Sequence, residues 1–147
     1  MLKLGKTSDV VDQLVAARTE RRKILDQEDP PHVFAIFDEA AIRRPIGNPE
    51  VMKEQIQHLI DLTELPNVTI QIVPTARGVY AGLPGAFTIL SFQDEPNAVR
   101  VEGHVGGQLI DSPAVVRKYG VNFDLIRASA MSAEDSLNYL RTILESL

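Results

Sequence analysis

No cysteine occurs in the 147 residues of this chain, which excludes disulfides, thiolate metal sites and cysteine nucleophiles. Nor is there an apolar run approaching the roughly 18 residues that mark a membrane-spanning helix, or a secretory hydrophobic segment at the start. A cytoplasmic protein that makes no membrane contact is the expectation. Positive charge is short as well: 15 Lys and Arg stand against 20 Asp and Glu, a formal net charge of −5. Nucleic-acid binders usually present a basic surface, so no direct nucleic-acid contact is expected. The basic residues that do cluster, Arg18, Arg21, Arg22 and Lys23, are diluted by Glu20, Asp26, Glu28 and Asp29. They read as a solvated helix face or a contact with a partner.

The familiar chemical signatures are missing too. His32, His58 and His104 lack the mutual spacing of zinc motifs, and neither a metal nor another cofactor is expected. Gly78, Gly82 and Gly85 lead into a strand rather than a helix, so they do not make a dinucleotide-binding turn. No G-x-S-x-G nucleophile elbow occurs.

What is present has the composition of a soluble globular protein, with 44% hydrophobic and 24% charged residues, and the length of one domain. Residues 1–9 read as a flexible stub and residues 10–147 as a single domain. Thr7 or Ser8 is placed to cap a first helix running to about Leu25, which Asp29-Pro30-Pro31 ends because the residue before a proline leaves the α region. His32 to Phe37 reads as a strand, apolar nearly throughout as in strands covered on both faces. Asp38 to Ile42 follows as a helical turn. Asn48 then caps a helix with Pro49 at its first position and an inward stripe of Val51, Met52, Ile56, Leu59, Ile60 and Thr63.

Val68 to Val73 alternates as a strand should. Ala86 to Phe92 and Ala98 to Glu102 form a hairpin-like pair across the turn at Asp94-Glu95-Pro96-Asn97, and Gln108 to Ile110 adds a short extended piece. Ser112-Pro113 opens a further helix, in which Gly120 marks a place for a bend, and Ser132 signals the last one. The fold class is α/β or α+β, in the order α-β-α-β-β-β-α-α. One small mixed sheet of about four strands is expected under covering helices.

The stretch from Thr75 to Gly107 holds six of the nine glycines. Glycine permits positive φ and close backbone approach at an entropic cost, so a cluster between strands points to loops shaped around a cavity, or to ordinary turns. Tyr80, Phe87, Arg100, Glu102 and His104 belong to this stretch. Asp38 and Glu39 stand at the carboxyl end of the first strand, where open α/β sheets place ligands, with Arg43 and Arg44 about a turn beyond. These charges either fix the loop as a salt-bridge network or leave groups for a ligand. If Glu102 met Asp38 or Glu39 in space, the two carboxylates would suit general acid and base work.

Several segments occur in an order that has a counterpart. They are F-D-E-A-A-I-R-R-P-I-G-N-P-E-V-M-K-E-Q-I, P-N-V-T-I-Q-I-V-P, G-V-Y-A-G-L-P-G-A-F-T-I-L-S-F, V-E-G-H-V-G-G-Q-L-I-D and R-A-S-A-M-S-A-E-D-S. Together they resemble the carboxyl-terminal domain of actinobacterial Scr1-type, antitoxin-like helix-turn-helix regulators, a domain without an assigned function. The resemblance covers about Val10 to Leu147 and implies a regulator-derived domain. It lacks the DNA-binding module, so DNA binding is not implied. Tyr80 stands where the family often has histidine, and Arg100 and Gln108-Leu109 where it often has aromatics. These departures fall in the expected pocket and imply a different ligand, a different partner or new work.

Two functions are therefore carried forward. The first is a small-molecule-sensing or protein-interaction domain, with Arg43, Tyr80, Phe87, Arg100, Glu102 and His104 offered to an apolar small molecule or a protein partner. The second is a cofactor-independent enzyme, a cyclase or isomerase acting on an apolar biosynthetic intermediate, with Glu102, Tyr80 and Asp38 as its catalytic groups. A homodimer is expected in either case, through the first helix or through Leu140, Ile143, Leu144 and Leu147 of the last.

Overall fold

A computed structural model describes residues 8–103 and 105–147; Thr7, one of the two expected caps, lies outside them. Helix α1 (Ser8–Arg22) passes into a tight helical turn at Lys23–Asp26, next to the expected end at Leu25. The proline pair then releases the chain into β1 (Val33–Asp38). Asp38 ends that strand and starts α2 (Glu39–Arg43), its Oδ1 accepting the Ala40 N–H at 2.8 Å. Gly47, at φ +69°, turns the loop toward α3 (Pro49–Leu62). There the Asn48 side chain accepts the Val51 N–H at 2.9 Å and Pro49 takes the first helical position, as its sequence foretells. Asn48→Ala leaves that amide without its cap and is expected to cost about 1 kcal/mol in chemical denaturation.

The remaining elements are β2 (Val68–Val73), a helical turn at Thr75–Arg77, β3 (Phe87–Leu90), β4 (Ala98–Gly103), β5 (Gly106–Ile110), α4 (Pro113–Ser129) and α5 (Ala133–Ser146). The mixed α/β class and the order of elements follow the expectation. The sheet does not: five strands form two sheets among the described residues, β1-β2 and the antiparallel β3-β4-β5. Short reversals let consecutive antiparallel strands close on each other, whereas β1 and β2 are joined by a helical crossover. Val33, the first residue of β1, donates to the carbonyl of Asn67 just before β2 at 2.8 Å, so the two strands start side by side.

β1 is not the fully covered strand its apolar run suggests. None of its six residues is buried and Phe34 is 48% exposed. The covered strand is β2, where Val68, Ile70, Ile72 and Val73 are buried.

The chain divides into two compact units. The first comprises Met1–Ala35, Ile42–Ile70 and Ala133–Leu147. Its core is built where α3 packs on α5, from Met52, Ile56, Leu59, Ile60, Leu140 and Ile143, with Ile42, Val68 and Ile70 also buried. Val51, expected in the inward stripe, is exposed. Leu140 and Ile143 are buried in the core and unavailable to an interface, while Leu147 remains partly exposed. Among the described side chains of α1 only Val11 is buried, and Val10, Leu14 and Val15 face solvent.

The second unit comprises Ile36–Ala41 and Gln71–Ser132. Helix α4 packs on β3 and β4, and Ile72, Val73, Ala98, Val99 and Ile126 are its buried apolar residues. The helix runs through Gly120 without a break, and Ser112 makes no side-chain cap despite the Ser-Pro start. Among the described residues no helix is long and apolar enough to cross a membrane.

Candidate functional site

Within the second unit the loop between β2 and β3 is tied down at three points. The Thr75 hydroxyl donates to Glu39 Oε2 at 2.7 Å. Arg77 Nε donates to the carbonyl of Ser129, the last residue of α4, at 3.1 Å, which places a cation at the helix end that favours one. The Tyr80 hydroxyl donates to Asp38 Oδ2 at 2.8 Å. Asp38 thus spends one oxygen on the start of α2 and the other on the loop.

Glycine is required where the loop folds back. A Cβ at Gly82 would overlap the Tyr80 ring, so the absence of a side chain lets the ring lie against the backbone. Gly78 and Gly85, at φ +70° and +144°, hold the bends on either side. The apolar tips of this anchored loop are turned outward: Val79 is 90% exposed and Leu83 54%.

The environment fixes the protonation of Tyr80. Burial, then the hydrogen bond to Asp38 and the nearby carboxylate charge, push its hydroxyl up from 10.0 to about 12. All three disfavour the phenolate, so Tyr80 is a donor at neutral pH and not a base.

The other expected residues have partners of their own. Arg100 and Glu102 pair with each other at 2.9 Å on β4, both side chains more than half exposed. The two carboxylates considered for acid and base work are therefore committed to different partners, Glu102 to Arg100 and Asp38 to Tyr80. Arg100 also lies over Gly107, where a Cβ would come within 3.1 Å of its guanidinium. Phe87 packs edge-on against Tyr119 with centroids 5.0 Å apart, a structural use of the ring under α4. Arg43 belongs to the first unit and donates to the Tyr139 hydroxyl at 2.6 Å, its guanidinium over that ring. His104 lies outside the described residues.

The sequence reading missed Thr75, Arg77 and Gly82. Their signal was weak: a Thr and an Arg after Pro74 are ordinary turn residues, and Gly82 was one glycine among six. The pairing of Tyr80 with Asp38 crosses 42 positions and has no local signature.

The first unit offers a different feature, a shallow groove of about 410 Å³ lined by Lys53, Glu54, Gln57, His58, Asp61 and Leu144. Five of those six residues are polar or charged. Among the described residues no group of three His, Asp or Glu is placed to hold a metal ion.

The fold and the anchored loop define a small mixed α/β domain with a tyrosine–carboxylate latch at the end of its first strand. The chain belongs to the family described as a domain of unknown function, DUF5753, which matches residues 3–142. It matches no curated protein and no solved structure.

Proposed function

We propose that this chain is a binding domain, derived from a helix-turn-helix regulator of the actinobacterial Scr1 type but not itself DNA-binding, which senses a small apolar molecule or docks a protein partner in the cytoplasm. The observation that carries this reading is the Tyr80–Asp38 latch on a loop whose apolar residues, Val79 and Leu83, face outward. An anchored loop presents those side chains at low entropic cost to whatever binds. A bond between two side chains at the loop's base is one that a ligand's own polar group can replace.

The experiment is a thermal-shift comparison of wild type with Tyr80→Phe and Asp38→Asn, probed first with a hydrophobic dye and then with apolar metabolites competing for it. Saturable, competable dye binding that weakens in both variants is the expected result. Dye binding identical in all three proteins would remove the latch from the site.

One feature also favours the enzyme reading. A tyrosine that keeps its proton can stabilise a developing oxyanion, as a cyclase or isomerase without a cofactor requires. Incubating apolar biosynthetic intermediates with wild type and Tyr80→Phe separates the two. Product ratios that are the same with and without protein end the enzyme reading.

A further inference from the structure

We propose that β5 is a self-pairing edge: two copies of this chain join through antiparallel β5 strands about a two-fold axis at Gln108, extending β3-β4-β5 into one six-stranded sheet. The strand lies at one end of the three-stranded order, so among the described strands only β4 pairs with it. Residues 106–109 are all exposed, and Leu109 is 66% exposed. Unpaired edges template pairing with another chain and are ordinarily blunted by lysine, proline, a bulge or shortness. G-G-Q-L-I carries no charge and no proline, and it pairs with β4 in an unbroken register from Val99↔Ile110 to Gly103↔Gly106. The opposite edge, β3, has four residues and is followed closely by Asp94, Glu95 and Pro96.

The occupant is a second copy because the strand complements itself. A two-fold axis at Gln108 sets Gly107 opposite Leu109 of the other copy, and Gly106 opposite Ile110. Each large side chain then meets a glycine, and the exposed Leu109 comes against the Arg100 guanidinium that lies over Gly107 of the other copy. Directly opposite residues share a sheet face, and Gly107 and Leu109 share theirs with Glu102 and Arg100, their partners on β4.

Charge follows the same symmetry. Each of the two central cross-sheet rows runs Glu102, Gly107, then Leu109 and Arg100 of the other copy. Each Arg100 stays paired with Glu102 of its own copy, so these charges are balanced within a copy and no like charges fall opposite each other, which would be destabilising. This pairing differs from association through α1 or α5, and it stands whether or not the Tyr80 latch binds a ligand.

The absence of native cysteine makes the register directly testable. Gln108→Cys introduces a lone thiol, and the axis places the two copies of it opposite each other. Directly opposed residues in antiparallel strands have Cα atoms about 4.5 or 5.5 Å apart, and disulfides span about 4.4–6.8 Å. Mild oxidation of the full chain at high micromolar concentration is expected to give a covalent dimer, while Val121→Cys, exposed on α4, stays monomeric. Light scattering of the unmodified chain is expected to rise with concentration from 16.2 kDa toward twice that mass. Leu109→Lys should hold it at the monomer mass with an unchanged circular-dichroism spectrum.

A mass fixed at the monomer value overturns the proposal, including the case in which the edge takes a segment of some other protein. So does a dimer that Gln108→Cys fails to cross-link, which would place the contact elsewhere.

Discussion

Leu140→Ala is expected to lower the unfolding free energy by about 2–5 kcal/mol, the range for removing a large aliphatic side chain from a packed core. Leu140 has no exposed surface, and it sits on α5 where that helix meets α3. Deleting its branched end leaves a cavity that Ile56 and Ile143, also buried, cannot fill without leaving their own contacts. Leu147→Ala, on the same stripe but 37% exposed, is expected to change stability by no more than about 0.5 kcal/mol. Urea denaturation of the two variants beside wild type reads both, provided the slope is unchanged. Equal effects at the two sites would mean that α5 is not the core helix of its unit.

The second large effect is on Tyr80. One of the three tyrosines should ionise at about 12 in spectrophotometric titration, and that step should vanish in Tyr80→Phe. Burial is the largest cause and Asp38 adds to it, so the two contributions can be separated. Asp38→Asn removes the charge but keeps the ring in place, and the titration should come down only part of the way toward 10.0. Gly82→Ala pushes the ring off its seat, exposing it and breaking the bond together, and should bring it down further.

The sign for stability follows from the raised value. Below pH 10 both folded and unfolded chains keep this proton, and the latch contributes in full. Between pH 10 and about 12 the unfolded chain loses the proton while the folded one holds it, so stability falls as pH rises. A Gly82→Ala protein whose tyrosines titrate as in wild type would contradict the packing of Tyr80 on that glycine.

Much of the fold is legible because its determinants are local. Asn48-Pro49 cap α3 through a side chain and a ring whose effects reach three residues. Val68 to Val73 alternates, and its bounds in the structure are those read from the pattern. Asp94 to Asn97 sets up the β3–β4 hairpin, whose register follows once the turn is placed.

The candidate site is legible only in part. Asp38, Glu39 and Tyr80 were recognisable as polar groups at a strand end and in a glycine loop. Arg43, Phe87, Arg100 and Glu102 are expected at the site from their place in the sequence, which does not announce the partners they have in the fold: Tyr139, Tyr119 and, for the last two, each other.

The difference is one of range. Caps, breakers and period-two alternation act within a few residues, so composition and spacing suffice to place helices, strands and turns. An apolar run says that a segment wants cover and leaves open what supplies it. The run in β1 reads as a central strand, yet it is half-covered, while Ile72 in β2 is wholly buried. Whether five strands make one sheet or two, and whether Asp38 meets Tyr80 or Glu102, depends on contacts between residues tens of positions apart. Loop closure over such distances costs nearly the same free energy for many alternative pairings. The choice is made by which arrangement packs, and that belongs to the folded chain as a whole.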